Sequence, residues 1–223
     1  MESIIFTTDA GMVLAELLDG TQHEDIFIVA DKHTVLFCDR LFEKVDWLPS
    51  HVTVLDCGEE NKSVESVSRI WMMLSKQGAR RSSILVCVGG GVVTDLGGFA
   101  ASTFKRGMRC INVPTTLLAQ VDASLGGKTG FNFNGLKNEI GTFSIPEKVI
   151  IDTRFLNHLP VRERMSGFAE MIKHGLLSNR EYLIRLLNLE HQETTQEYML
   201  ELIRRSVTIK NEIVTRDPRE QGL

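Results

Sequence analysis

Short apolar runs alternate with helical patterns through the first 150 residues of the chain. Several of these runs are apolar at every position, such as residues 26–30 and 84–88, which is typical of strands covered by helices on both faces. The pattern therefore predicts a doubly wound α/β domain with a mainly parallel sheet. The six predicted strands are residues 3–8, 25–31, 51–56, 82–91, 108–114 and 148–153.

After Pro160 the strand pattern stops and the periodicity becomes helical. Three helices are predicted, at residues 162–177, 179–189 and 195–215. The last has an apolar face that we expect to need a partner surface which this chain barely supplies. That face consists of Met199, Leu202, Ile203, Ile209 and Ile213. We predict two domains, an α/β domain over residues 1–156 and an all-α domain over residues 157–223 that is incomplete here.

Composition narrows the class of protein. With 43% hydrophobic and 24% charged residues the 223-residue chain has globular composition, and its net charge of −4 provides no basic surface for nucleic acid. No apolar run approaches the ~18 residues of a membrane span, and no cationic flank suggests a signal peptide. The four cysteines form no CxxC pair, and three lie in or beside apolar runs. We expect a cytoplasmic protein with reduced thiols.

Three consecutive glycines, Gly89, Gly90 and Gly91, end one predicted strand and open a predicted helix. This arrangement lets backbone N–H groups approach a phosphate at a helix N-terminus, although glycines also serve plain tight turns. The pattern favours phosphate or dinucleotide binding, but it is not GxGxxG. Asp95, in the first turns of the helix, either complements the helix dipole or contacts a ligand.

Lys128 ends a segment that resembles a P-loop, but Asp122 stands where that motif requires glycine, so a P-loop NTPase is excluded. Residues 130–135 alternate in polarity around an Asn-Gly pair and predict a hairpin. Lys128, Lys137 and Asn138 would flank this hairpin. They are either solvated or share an oxyanion.

Helical spacing places Glu170, Lys173 and His174 on one face. A carboxylate and an imidazole four residues apart can bind a divalent metal beside a phosphate-binding lysine, or the three can form a surface salt-bridge ladder. Lys210 lies on an apolar helix face, where it either extends to solvent or points into a site.

Five sequence blocks together resemble one family: GEENKS, GGGVVTDLGGFAASTFKRG, VPTTLLAQVDASLGGKTGFN, LKNEIGTF and IDTRFLNHLPVRERMSGFAEMIKHGL. The chain from about residue 26 onward is similar to the 3-dehydroquinate synthases among the sugar-phosphate cyclases. The resemblance implies a Rossmann-like domain that binds NAD, a helical domain that binds zinc or cobalt, and a homodimer. It also implies the shikimate-pathway conversion of 3-deoxy-arabino-heptulosonate 7-phosphate to 3-dehydroquinate and phosphate.

Site residues follow from the resemblance position by position. The positions matching NAD-binding residues are Asp31, Glu59, Lys62, Gly90, Gly91, Val92, Asp95, Thr115, Thr116, Leu118, Lys137 and Glu163. Those matching catalytic and substrate-binding residues are Asp122, Lys128, Asn138, Lys173, Lys210 and Arg106, the last reaching across from a second subunit. Glu170 matches the carboxylate metal ligand, and by this resemblance His174 is not a ligand.

His33 and His158 depart from the family pattern, at positions that usually carry asparagine and a small polar residue near the cofactor. The family continues past Leu223 with two metal-ligand histidines, so we expect the 223 residues alone to lack turnover. Two alternatives remain: another NAD- and metal-dependent cyclase or alcohol dehydrogenase of this fold, or a nucleotide-binding fragment without catalysis.

Overall fold

The computed structural model describes residues 3–189 and 195–217 and contains all six predicted strands in one parallel sheet. The sheet order is β1-β8-β5-β4-β2-β3, and β6 and β7 form a separate antiparallel hairpin. The strands are β1 (Ile4–Thr7), β2 (Ile26–Asp31), β3 (Val52–Leu55), β4 (Ile84–Gly89), β5 (Arg109–Pro114), β6 (Lys128–Phe133), β7 (Leu136–Phe143) and β8 (Lys148–Asp152). The last six residues of the predicted helical domain, 218–223, lie outside the described residues.

Helices surround this sheet, and the three predicted C-terminal ones begin at polar caps or at a proline. The Asn179 side chain accepts a hydrogen bond from the Tyr182 amide, and Thr195 accepts one from Tyr198, which satisfies N–H groups that have no partner within the helix. The helices are α1 (Ala10–Leu17), α2 (Cys38–Leu41), α3 (Val64–Lys76), α4 (Gly91–Thr103), α5 (Val161–Ser178), α6 (Arg180–Leu187) and α7 (Gln196–Arg216).

The sheet is buried on both faces, as its continuous apolar runs predict. Alternate residues of β2 enter opposite clusters: Ile26 and Ile28 pack with Leu14 of α1, whereas Phe27 and Val29 pack under α3 and α4. Residues 26–30 are at most 1% exposed. None of these five positions faces water, so polar alternation is absent from them.

The predicted hairpin is present, and its turn explains the Asn-Gly pair. Phe133 pairs with Leu136 across a two-residue loop, and both Asn134 and Gly135 have positive φ angles, 50° and 79°. Such a loop follows the right-handed twist of the two strands. The hairpin packs on α4, where the Phe131 and Phe99 rings meet edge to face at 5.2 Å.

The expectation that the apolar face of α7 lacks a partner is wrong. Leu202, Ile203 and Ile209 are at most 3% exposed, because this face packs on the α/β layer as well as on α5 and α6. The α/β residues in this cluster include Leu117, Val121, Val149 and Ile151. Periodicity identified the buried face but not its partner, whose α/β residues lie more than 50 positions from Leu202 in the sequence.

Gly167 lets α5 approach the segment after β5. A Cβ atom at this position would lie 2.5 Å from the Leu118 backbone nitrogen and 2.6 Å from the Leu117 Cβ. Leu118 precedes a π-helical turn, Ala119–Ala123, that contains Asp122. The glycine therefore brings the helix that carries Glu170 close to that turn.

Cys38, Cys87 and Cys110 are buried free thiols, and Cys57 is half-buried. Over residues 3–189 and 195–217, no helix is both long and apolar enough to cross a bilayer.

Candidate active site

The sheet has a topological switch point between β2 and β4, because β2 connects outward to β3 and β4 connects the other way to β5. Ligands of open α/β sheets bind beyond the strand ends at such a point. Asp31 ends β2 there, and its Oδ1 accepts the amides of His33 and Thr34, each at 2.8 Å. The Thr34 hydroxyl donates across the switch point to the Val88 carbonyl at 2.7 Å.

The predicted glycine turn ends β4 beside this crevice. Gly90 precedes α4, and no side chain caps the first turn of that helix. A Cβ atom at Gly90 would lie 3.0 Å from the Thr116 methyl, and one at Gly91 would lie 3.1 Å from the Ala123 Cβ. The amide groups at this helix terminus and the space that the glycines leave are the features of an anion site.

The Lys62 side chain connects helix α4 to the hairpin of β6 and β7. Its side chain is 5% exposed, and its Nζ donates to Asp95 Oδ2 and to Asn138 Oδ1, each at 2.5 Å. Asn138 has a left-handed backbone with φ of 53°, and its amide donates to Asn132 Oδ1 at 2.9 Å. The buried ammonium therefore fixes both the first turns of α4 and the hairpin residue.

Burial raises the pKa of Asp95 to about 6, although the neighbouring Lys62 ammonium acts in the opposite direction. The Glu59 and Asp122 carboxylates add to the increase. Asp95 therefore contacts a buried cation of the chain itself, which neither of its two interpretations predicted, and its contact with a ligand stays a prediction. Glu59 lies nearby and accepts a hydrogen bond from Asn132 Nδ2 at 3.0 Å.

A cleft of about 480 Å³ lies between the hairpin and α7. Asp95, Lys128 and Asn138 line it, as does Lys210, which is 17% exposed. The Lys210 Nζ lies 2.6 Å from Asp122 Oδ1, so this lysine points into the cleft instead of extending to solvent. Three predicted cation and amide donors thus share one cavity.

Glu170 lies on α5, and Asp122 lies beside it in the π-helical turn. The Lys173 Nζ donates to Glu170 Oε1 at 2.6 Å, and His174 Nε2 lies 3.3 Å from the same oxygen. One ligand atom each of Asp122, Glu170 and His174 lies within 4.8 Å of the others. This set of two carboxylates and one imidazole has the composition of a divalent metal site.

His174 is 1% exposed, and its Nδ1 lies 2.6 Å from the Ser206 hydroxyl of α7. Burial lowers the pKa of His174, while the Glu170 and Asp122 carboxylates oppose this. Of the two partners of Glu170, only Lys173 therefore fits a surface salt bridge, because the His174 imidazole is buried. Ser206 was not predicted, since nothing local in the sequence connects it to His174.

Other predicted residues lie around the same sheet edge. The Thr115 amide donates to the Gly89 carbonyl at 3.0 Å, and the Thr116 hydroxyl accepts the Ala119 amide at 3.2 Å. Val92 and Leu118 are half-buried at the start of α4 and before the π-helical turn.

Three further predicted residues are exposed and have none of the site contacts described above. Within residues 3–189 and 195–217, Lys137 is exposed on β7, Glu163 is exposed in the first turn of α5, and Arg106 is exposed after α4. Arg106 has φ of 66°, a left-handed conformation that is uncommon outside glycine. These three predictions stay open.

Two family models match the chain, one described as 3-dehydroquinate synthase N-terminal over residues 52–166 and one as 3-dehydroquinate synthase C-terminal over residues 167–223. The chain belongs to the 3-dehydroquinate synthase family. The two matches meet inside α5.

Curated relatives agree with this assignment. The 3-dehydroquinate synthase of Parabacteroides distasonis is 43% identical over 223 residues, which is 100% of this chain and 63% of the relative. That of Dictyoglomus thermophilum is 40% identical over 217 residues, or 95% of this chain and 60% of the relative. The chain thus spans less than two thirds of these relatives' length.

Solved structures have the same fold. The 2-epi-5-epi-valiolone synthase of Streptomyces hygroscopicus, with NAD+ and Zn2+ bound, aligns with a TM-score of 0.83 at 26% identity, over 98% of this chain and 62% of that one. A 2-deoxy-scyllo-inosose synthase in complex with carbaglucose-6-phosphate, NAD+ and Co2+ aligns with a TM-score of 0.75 at 25% identity, with the same coverage.

Proposed function

We propose that this chain supplies the cofactor site and phosphate site of a 3-dehydroquinate synthase, which converts 3-deoxy-arabino-heptulosonate 7-phosphate to 3-dehydroquinate and phosphate. The observation that carries the proposal is the cleft in which Lys128, Asn138 and Lys210 meet. Asp95, at one end of this cleft, connects it to the glycine turn, and Asp122 connects it to Glu170. A phosphorylated polyol could contact cations, a nucleotide and a metal there at once.

The residues at the sheet edge fit NAD. The uncapped N-terminus of α4 and the glycine positions suit a pyrophosphate, and Asp31 at the end of β2 suits a ribose hydroxyl. NAD held there would supply a reversible hydride acceptor for a substrate carbinol. Lys62 holds Asp95 and Asn138 so that both keep their positions relative to this cofactor.

The donor set around Glu170 fits zinc or cobalt. In our proposal Glu170 is the ligand from this chain, and His174 orients it through Nε2, because its Nδ1 is already held by Ser206. A divalent ion there supplies Lewis-acid polarisation of substrate hydroxyl groups. Asp122 bonds Lys210 from the other side and so keeps that ammonium directed into the cleft.

The remaining polar residues act on the substrate phosphate. Lys128 and Lys173 offer ammonium groups and Asn138 offers an amide donor, and together they stabilise the charge that phosphate carries when it leaves. The left-handed backbone at Asn138, held by Lys62 and Asn132, is the kind of strain that accompanies a fixed binding geometry. We assign these residues to binding and orientation, which supply most of the catalysis in such an elimination.

The proposed assembly is a cytoplasmic homodimer. Arg106 is exposed and outside the cleft lining, which suits a side chain that reaches a neighbouring subunit. Cys87 and Cys110 are free although their sulfur atoms are 3.8 Å apart, which suits a reducing compartment. In active protein, mixing Arg106→Ala chains with Lys173→Ala chains should restore activity, because one site of a mixed dimer keeps both groups.

The test of the proposed reaction uses two proteins. One is residues 1–223, for which we expect NAD binding, weak zinc binding and no turnover, since Glu170 is the one family metal ligand among its residues. The other is a chimera that adds the remaining third of the Parabacteroides distasonis relative. It should release inorganic phosphate from 3-deoxy-arabino-heptulosonate 7-phosphate with NAD and zinc present.

Lys128→Met should abolish phosphate release by the chimera while the matched control Lys76→Met, an exposed lysine at the end of α3, leaves it unchanged. Release from other sugar phosphates alone would favour another cyclase, and oxidation without phosphate release would favour an alcohol dehydrogenase. A chimera that folds and binds NAD but turns over none of these substrates would contradict the proposal.

A further inference from the structure

A second group of side chains of the kinds that bind metal ions lies outside the cleft lining, at the carboxyl ends of β2 and β3. It consists of Asp31, His33 and Cys57, and one ligand atom of each lies within 4.8 Å of the other two. The His33 Nδ1 lies 3.4 Å from the Cys57 sulfur. Zinc–sulfur and zinc–nitrogen bonds in tetrahedral geometry place those two atoms about 3.5 Å apart. The spacing matches ligands of one ion.

Asp31 is held in place without using both of its oxygens. The His33 and Thr34 amides both donate to its Oδ1 at 2.8 Å, and the Thr34 hydroxyl oxygen lies 3.1 Å from the same atom. The Oδ2 atom is therefore available to an ion while Oδ1 keeps the loop in position. Asp56, which directly follows β3, forms ion pairs with Lys32 and Arg69 and is not part of the group.

The exposure of these residues allows an ion to enter. Asp31 and Cys57 are half-buried and His33 is exposed, in contrast to the three buried cysteines of the chain. Three protein ligands leave a fourth tetrahedral position for water. A site of this composition selects zinc-class ions over magnesium, because thiolate and imidazole bind poorly to hard cations.

We propose that Asp31, His33 and Cys57 form a second site for a zinc-class divalent ion, separate from the one around Glu170. The thiol of Cys57 loses its proton to solvent when the ion binds. Because Asp31 is also assigned to the cofactor ribose, the ion and NAD exclude each other. This exclusion rests on the proposed function, whereas the metal site itself does not.

Cobalt is the probe, because a thiolate ligand gives Co2+ a charge-transfer absorption that oxygen and nitrogen ligands do not. Titration of metal-free protein with Co2+ should produce this band with saturation at one equivalent. Cys57→Ser should abolish it, and His33→Asn should weaken binding at least ~10-fold. Glu170→Gln should not affect it, since the group around Glu170 contains no sulfur.

His23→Asn is the matched control for the histidine variant. His23 is partly exposed like a surface histidine, precedes β2 in the sequence and lies outside this group. Its cobalt band should equal that of the parent protein. A protein that shows no band, or a Cys57→Ser variant that retains it, would overturn the proposal. The exposed His33→Asn variant keeps the test valid even if Cys57→Ser fails to fold.

The exclusion is tested by adding NAD to the cobalt-loaded protein. We expect the band to disappear, and we expect calorimetry to show NAD binding to metal-free protein. If NAD fails to bind the metal-free protein, the proposed function fails while the metal site stands. If NAD binds and the band remains, the exclusion is wrong and the two sites are independent.

Discussion

The two sides of the candidate active site, the proposed cofactor side and the proposed metal side, are built in different ways. On the cofactor side, strand ends and a glycine turn provide backbone groups, and Asp31 and Gly90 lie next to the strands that position them. On the metal side, Asp122, Glu170, His174 and Ser206 come from a π-helical turn and from two helices. The cofactor side thus depends on local geometry, and the metal side depends on how closely distant elements pack.

The largest effect should come from Gly167→Val, which tests the packing of the metal side. A side chain there meets the backbone at Leu118, so we expect a loss of about 3 kcal/mol in the free energy of unfolding. Urea unfolding measures this loss. Ala169→Val, at an exposed position of the same helix, should change stability by less than about 0.5 kcal/mol. Equal effects of the two variants would contradict the close-packing argument.

Asp95 links the two sides, and its titration should appear in the stability of the protein. Its pKa is raised to about 6 in the folded state, so the folded state holds this proton more tightly than the unfolded state does. The resulting stability is present below the unfolded value of 3.8 and is lost as pH rises through about 6. Over this pH range the free energy of unfolding should fall by up to about 3 kcal/mol.

The urea unfolding midpoint of the parent protein should therefore fall as the pH is raised from 4 to 7. In Asp95→Asn this dependence on pH should disappear. The control is Asp56→Asn, because Lys32 lowers the pKa of the exposed Asp56 and its contribution has the opposite sign. An unchanged slope in Asp95→Asn would show that another group causes it.

Gly91→Val tests the cofactor side. The added side chain would occupy space beside Ala123 at the start of α4, and we expect NAD affinity to fall by about 2 kcal/mol, or ~30-fold. Calorimetry measures the affinity, and urea unfolding of the same variant checks that the fold survives. Unchanged affinity would exclude the glycine turn as the pyrophosphate site.

The smallest effect should come from Ser206→Ala, which removes the partner of His174 Nδ1. We expect about 1 kcal/mol lower stability and ~10-fold weaker zinc binding, because the imidazole that we propose to orient Glu170 loses its hydrogen-bond partner. Thr208→Ala is the control, since the exposed Thr208 hydroxyl donates only to its own helix at Arg204. Equal zinc affinity in both variants would show that His174 does not position Glu170.

Sequence patterns predicted best where structure is local. The six strands, the hairpin around Asn134 and Gly135 and the glycine turn were all correct, because each depends on residues a few positions apart. The glycine turn also identified the start of α4. The partner of the α7 face was missed, because Val121 and Ile151 enter that cluster only after the chain folds back.

The resemblance to a family supplied candidate residues but not their partners. It named Lys62, Asp95 and Asn138 separately, and only the structure joins them through one buried ammonium group. It gave His174 no role as a metal ligand, and the structure adds that this imidazole lies 3.3 Å from Glu170. The i, i+4 spacing did predict the Glu170–His174 pair, but the contacts of Lys62 leave no periodic signal, so neither spacing nor composition could identify them.

The amino-acid sequence by itself determined where the strands of the sheet and the C-terminal helices lie along the chain, and it determined the glycine turn and the hairpin. These features depend on backbone preference and hydrophobic periodicity, which act over short distances. The tertiary structure alone decided that Lys210 meets Asp122, that His174 meets Ser206 and that Asp31 meets Cys57. Those contacts depend on the distance between elements far apart in the chain. Close-packing residues such as Gly167 set that distance, and the contacts form only after the sheet and helices have assembled.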